Sequence, residues 1–237
     1  MNSLTLDIIE TLYFLVNTSE KNFILTGDQK GVSVGDDTLW LFSNPRSVSK
    51  YCEVKAKTEL KLRNLKSLCV MRGNCLGTGG GISLACQFRV ATTTSVFGLP
   101  ENSLGMTPDA AALHFLSNSL GGLGLYLALT GFSLRGPDLY FKGLATHYIQ
   151  EENLNKFIEE AKISSNLINV LEKYHTNPPN NLSKISKNIE EIEEVFGKVF
   201  GIEELYEKLA GKETEFRKHA LHLLAQQCPV SLKVLAK

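Results

Sequence analysis

The sequence predicts an α/β protein over residues 1–150 and a helical region over residues 151–237. Three observations predict it. Short β-branched and aromatic runs alternate with helical patterns in the first part. A glycine cluster, Gly77-Thr78-Gly79-Gly80-Gly81, lies between a strand-like run and a helix start. Beyond residue 150, Glu, Lys and Asn dominate and the apolar spacing becomes helical.

The elements follow in order. Leu4–Val16 reads as a helix that is apolar on most sides, so it should be largely buried. Asn22–Gly27 reads as a strand and Asp28–Asp37 as a loop. Residues 38–66 are mixed and end in a basic, helix-prone run. Ser67–Gly73 reads as a buried strand, the glycines as a turn, and Ile82–Ala85 as the opening of a helix. Phe88–Thr92 and Ser95–Leu99 have the composition of short strands, the second closed by Pro100-Glu101. Asp109 can cap a helix through Ala110–Leu116. Leu123–Thr130 is closed by Gly131, and Pro137–Lys142 by Gly143. Leu144–Ile149 reads as a strand. After the breaker Thr176–Asn181 come amphipathic segments near 186–197, 202–210 and 213–226, then a helix start at Pro229.

Composition excludes several classes. Lys+Arg and Asp+Glu both total 25, so nothing in the charge balance calls for nucleic acid or an anionic membrane surface. The five cysteines are scattered without a CxxC pair, which argues for a reducing compartment rather than a disulfide scaffold. No apolar run reaches the roughly 18 residues of a membrane span, and no basic, signal-type segment opens the chain.

The glycine cluster carries the first chemical signal. A strand, a bare turn and a helix start together offer free N–H groups and a positive dipole end to an anion or a carbonyl. The alternative is a flexible loop. A dinucleotide fingerprint fits poorly, because the third glycine comes one residue early for GxGxxG. There is no GxxxxGK[ST]. Glu101 and Asp109 form a second constellation, in glycine- and proline-containing loops after apolar segments. A carboxylate beside an apolar wall can act as a base. The bland reading makes Asp109 a helix cap and Glu101 a solvated loop residue. His219 and His222 share a helix face without HExxH, and read as a surface or packing pair.

GTGGGISLACQFRVATTTSVFGLPENSLGMTPDAA (77–111) resembles the core of the crotonase (enoyl-CoA hydratase/isomerase) superfamily. LALTGFSLRGPDLYFKGLATHYI (127–149) and LEKYHT (171–176) narrow the likeness to its 3-hydroxyisobutyryl-CoA hydrolase branch, and NSLTLDII and PVSLK extend it to both ends. The resemblance implies a spiral fold of ββα units with a C-terminal helical region. It implies an oxyanion hole from the backbone N–H groups of Thr78 and Val34, and a catalytic pair in Glu101 and Asp109. Glu53 matches a further substrate-contacting glutamate. The implied reaction hydrolyses 3-hydroxyisobutyryl-CoA, a step of valine breakdown, with no metal and no cofactor beyond the coenzyme A of the substrate. Mitochondrial location, with the cytoplasm as alternative, and a homo-oligomer are also implied, with no nucleic-acid or membrane partner.

The sequence departs from the family pattern at named places. Thr78 stands for a glycine, Val34 for alanine and Asp36 for glycine. Gly81 stands where a hydratase carries a glutamate, which counts against hydration or isomerisation. The family's first hairpin and last helices have no counterpart, so the resemblance implies a chain shortened at both ends. Thr78, Val34 and the missing ends leave open a non-catalytic, structural crotonase-fold subunit.

Overall fold

The computed structural model describes residues 2–19, 22–199 and 201–236, and in it the chain winds in successive strand–strand–helix turns. β1 (Ser3–Leu4) and α1 (Leu6–Thr18) come first. One turn contains β2 (Phe23–Thr26), β3 (Gly31–Ser33), β4 (Gly35–Asp36), α2 (Thr38–Ser43) and α3 (Val48–Arg63). The next contains β5 (Ser67–Val70), β6 (Asn74–Leu76) and α4 (Thr78–Ala85). The third contains β7 (Phe88–Ala91), β8 (Val96–Gly98), a 3₁₀ turn at Glu101–Leu104, α5 (Ala110–Ser119) and α6 (Gly122–Thr130). β9 (Leu134–Arg135), α7 (Asp138–Phe141) and β10 (His147–Tyr148) follow. The rest is helical: α8 (Glu151–Ile163), α9 (Leu167–Tyr174), α10 (Ile189–Phe196), α11 (Ile202–Ala210), α12 (Glu215–Ala225) and α13 (Pro229–Leu235). No helix of the described residues is long and apolar enough to cross a membrane.

Each turn gives one strand to each of two sheets. The first sheet is β2-β5-β7-β10, all parallel. The second is β3-β6-β8-β9, parallel except for β9. β5 shows why such a strand carries an unbroken apolar run. Cys69 faces the main core while Leu68 and Val70 face a second cluster with Phe157 of α8 and Leu171 of α9. Burying a side chain of Phe157's size stabilises by roughly 1.5–3 kcal/mol, so α8 and α9 are fastened to the outer face of this sheet.

Two expectations change here. Asp28–Asp37 is not a plain loop but holds β3 and β4, which pair with β6 and β1. Strands this short owe their form to their partners, so propensity does not reveal them. The first helix is not largely buried. Ile9 and Val16 are in the core, but Phe14 is 64% exposed, and Ile8, Leu12 and Leu15 line an open groove of about 510 Å³ with Leu25 and Ile82. Packing against α3 covers only one face of α1.

The last helices are tied by one buried guanidinium. Arg217 of α12 donates to Glu191 (2.9 Å), Glu194 (2.7 Å) and the carbonyl of Lys208 (2.6 Å). Replacing it by methionine removes the donor to Glu194 and to the Lys208 carbonyl and leaves Thr214 donating to Glu191. Arg217→Met is expected to cost about 2 kcal/mol, measured by denaturant unfolding.

Candidate active site

The parallel register of the second sheet assembles the site. Ser33 of β3 lies opposite Cys75 of β6, and Leu76 lies opposite Gly98 of β8. The carboxyl ends of three neighbouring strands therefore deliver Val34-Gly35, Gly77-Thr78 and Leu99-Pro100-Glu101 to one place. Such strand ends are where open parallel sheets hold their ligands. The Gly77 N–H donates to the Gly98 carbonyl at 2.9 Å, locking two of these loops together.

The glycine cluster is a helix start, not a loop, and the helix begins at Thr78, four residues earlier than expected. Gly77 turns the chain at φ +52°, a region side chains resist. Gly79 is needed for closeness instead. A Cβ there would stand 2.6 Å from the Ser33 Cβ and 2.8 Å from the Ser33 carbonyl oxygen. All eight residues of α4 are buried, so tertiary packing overrides the poor helix propensity of glycine. Thr78 is the first residue of α4, and its N–H has no acceptor within the helix. A Cβ on Gly35 would lie 3.5 Å from the Thr78 nitrogen, so the Val34-Gly35 strand end abuts the helix start.

Glu101 opens the 3₁₀ turn and is only 9% exposed, so it is no solvated loop residue. Its Oε1 lies 3.1 Å from where a Cβ of Gly77 would stand, and its Oε2 is buried with no hydrogen-bond partner. Burial raises its carboxyl to about 7. Its own backbone lowers it somewhat, the charges of Asp36 and Asp109 raise it further, and Lys55 opposes them.

Asp109 stands at the N-cap position of α5 but makes no cap with its side chain. Its Oδ2 accepts from Lys55 Nζ at 2.7 Å. The capping is done from outside: Glu59 of α3 accepts from the Ala111 N–H at 3.1 Å. Glu59 Oε1 lies 2.9 Å from where a Cβ of Gly81 would stand. Burial also raises Glu59 to about 7, against the pull of the Ala111 N–H and of Lys55.

Lys55, Glu59 and Asp36 were not among the expected site residues, yet they surround the turn. The buried face of α3 is Tyr51, Lys55, Thr58, Glu59 and Leu62, a helical stripe that carries charge. Tyr51 donates to Asp36 Oδ1 at 2.6 Å, and Lys55 Nζ lies 3.8 Å from Asp36 Oδ2. The signal was that spacing, hidden because the stripe is not apolar. Glu53 points the other way. Its side chain is 60% exposed and pairs with Lys57 along the helix, so the structure does not bring it to the group at the glycine turn. Glu53→Gln is expected to leave both melting temperature and turnover unchanged within error, checked by a thermal melt and an activity assay.

Comparison with known proteins decides the family. The enoyl-CoA hydratase/isomerase family matches residues 1–237. The chain belongs to this crotonase family. The 3-hydroxyisobutyryl-CoA hydrolase, mitochondrial, of Homo sapiens is 30% identical over 254 residues, which cover 99% of this chain and 66% of that protein. Its counterpart in Dictyostelium discoideum is 34% identical over 177 residues, covering 72% of this chain and 46% of that protein. The chain thus spans about two thirds, or less, of the length of these crotonase-family relatives. Among solved structures, a carnitinyl-CoA dehydratase from Mycobacterium thermoresistibile superposes with a TM-score of 0.88 at 23% identity, covering 98% of this chain and 71% of that one. An enoyl-CoA hydratase from Rhodobacter sphaeroides 2.4.1 gives 0.83 at 20%, covering 98% and 70%. These likenesses show that the chain has the crotonase fold.

Proposed function

We propose that this chain hydrolyses the thioester of 3-hydroxyisobutyryl-CoA, giving 3-hydroxyisobutyrate and free CoA. One observation carries the reading: a buried carboxylate, Glu101, with an unpartnered oxygen beside a helix start whose first N–H is free. A buried polar atom left without a partner costs stability, so its persistence points to a ligand or a proton transfer. The names of the relatives from Homo sapiens and Dictyostelium discoideum support the substrate.

In this reading the N–H groups of Thr78 and Val34 donate to the thioester oxygen. As water adds to the carbonyl carbon, that oxygen becomes anionic, and donors fixed in advance favour it over the ground state. Glu101 takes the proton of the attacking water and returns it to the departing sulfur. Asp109 receives the hydroxyl end of the acyl group. Glu101 can instead attack the carbonyl as nucleophile and be released by water; both routes give the same products. CoA leaves as part of the substrate, and the reaction as written needs no metal or further cofactor. On this reading the chain works in valine breakdown in the mitochondrion, as a homo-oligomer; the names of the relatives support the compartment.

The test compares two substrates on the purified protein. Release of free thiol from 3-hydroxyisobutyryl-CoA, with no hydration of a 2-enoyl-CoA, is the expected result. Hydration without thiol release would replace the reading with a hydratase. Neither reaction, in a folded protein, would leave a non-catalytic crotonase-fold subunit, the reading that the side chain of Thr78 at the turn favours.

A further inference from the structure

Lys55 is 4% exposed, and lysine is almost never buried so fully unless it is paired. Its ammonium lies 2.7 Å from Asp109 Oδ2, 3.8 Å from Asp36 Oδ2 and 3.4 Å from Thr78 Oγ1. It therefore touches the N-cap of α5, the end of β4 and the first residue of α4 at once. The groups that face it are Tyr51 and Glu59 on its own helix, Asp36, Thr78 and Asp109, with Glu101 acting on it through charge. Four carboxyl groups share this small volume with one ammonium.

Two consequences follow from the geometry. Asp109 is half-exposed, and the short bond to Lys55 fixes its carboxylate at the mouth of the site. An oxyanion forming at the Thr78 N–H would meet the repulsion of Asp36 and Asp109 unless a positive charge stood beside them. Lys55 stands there. Building on the hydrolase reading, we propose that Lys55 is a positioning residue of this site: its ammonium fixes Asp109 and supplies the positive charge against which Glu101 works as a carboxylate.

The charge half of the proposal fixes a sign. Removing the cation leaves Glu101 facing Asp36 and Asp109 alone, which favours its protonated form. The midpoint of its titration must then rise. The test titrates glutamate carboxyls by NMR in isotopically labelled protein, with the Glu101 signal identified by its loss in Glu101→Gln. In Lys55→Met the midpoint is expected to rise by more than about 0.2 pH units. Lys55→Gln keeps a donor to Asp109 without the charge, and the same rise is expected. A merely structural lysine would not move this midpoint.

A turnover assay accompanies the titration. Lys55→Met is expected to lower kcat at neutral pH by about tenfold or more with KM little changed, because the charge acts on the reacting groups rather than on CoA. A wild-type protein that releases no thiol sinks the hydrolase reading and leaves the titration intact. A Glu101 midpoint within about 0.2 pH units of wild type in either folded variant overturns the Lys55 proposal, whatever the turnover. If Lys55→Met does not fold, Lys55→Gln carries the test. Failure of both to fold would make Lys55 a structural residue and overturn the proposal as well.

Discussion

Glu101→Gln is expected to lower thiol release by about 10²–10⁴-fold while making the protein more stable at alkaline pH. Both effects come from the same burial. The carboxyl is raised from 4.5 to about 7 in the folded chain, chiefly by desolvation. In the unfolded chain it loses its proton near pH 4–5. The folded state therefore holds a proton that the unfolded state has given up, and stability falls as pH rises from about 4.5 to about 7. Above pH 7 the cost levels off at about 3 kcal/mol for this group. Glutamine cannot ionise, so the variant should match wild type near pH 4 and exceed it near pH 8. Thermal melts across that range read the difference. In wild type, kcat/KM should rise with pH to a plateau, with a midpoint near 7, because the base must be deprotonated to act.

Gly79→Ala is expected to lose about 2 kcal/mol of stability and about 10²-fold in kcat. The new Cβ meets the Ser33 carbonyl at 2.8 Å, and that carbonyl is backbone that no rotamer change can clear. The gain in helix propensity, about 1 kcal/mol, offsets only part of the overlap. The effect on rate has a specific origin. The Ser33 carbonyl and the Val34 N–H belong to one peptide plane. Pushing the oxygen away turns the N–H that the proposed mechanism aims at the thioester. Denaturant unfolding reads the first effect and steady-state kinetics the second. A variant that is destabilised yet keeps full kcat would show that Val34 is not a donor.

The strong periodic segments of this chain were legible. The helices over 202–210 and 215–225 match amphipathic spacing that nothing in the tertiary structure overrides. β5, β7 and β8 were legible from apolar composition alone. The site was half-legible. Glu101 and the glycine turn carry resemblance to a family, and the turn also makes sense as bare backbone needing close approach. What stayed hidden was everything set by long-range contact. Four glycines in five residues do not look like the start of a helix, and become one because Ser33, Phe97 and Glu59 leave no room for side chains on Gly79, Gly80 and Gly81. Asp109 looked like a cap and is a partner of Lys55 instead, because Glu59 reaches the α5 N-terminus first. Lys55 and Glu59 could be found only by reading α3 as an inward stripe from Tyr51 to Leu62, and charged residues on such a stripe ordinarily read as a solvated face.

The measurement that tests the central claim most directly is thiol release from 3-hydroxyisobutyryl-CoA, followed against pH for wild type and Glu101→Gln side by side. The expected result is release that rises to a plateau with a midpoint near 7 in wild type and is lost at every pH in the variant. Equal release by both folded proteins would contradict the assignment of Glu101 as the reacting carboxylate.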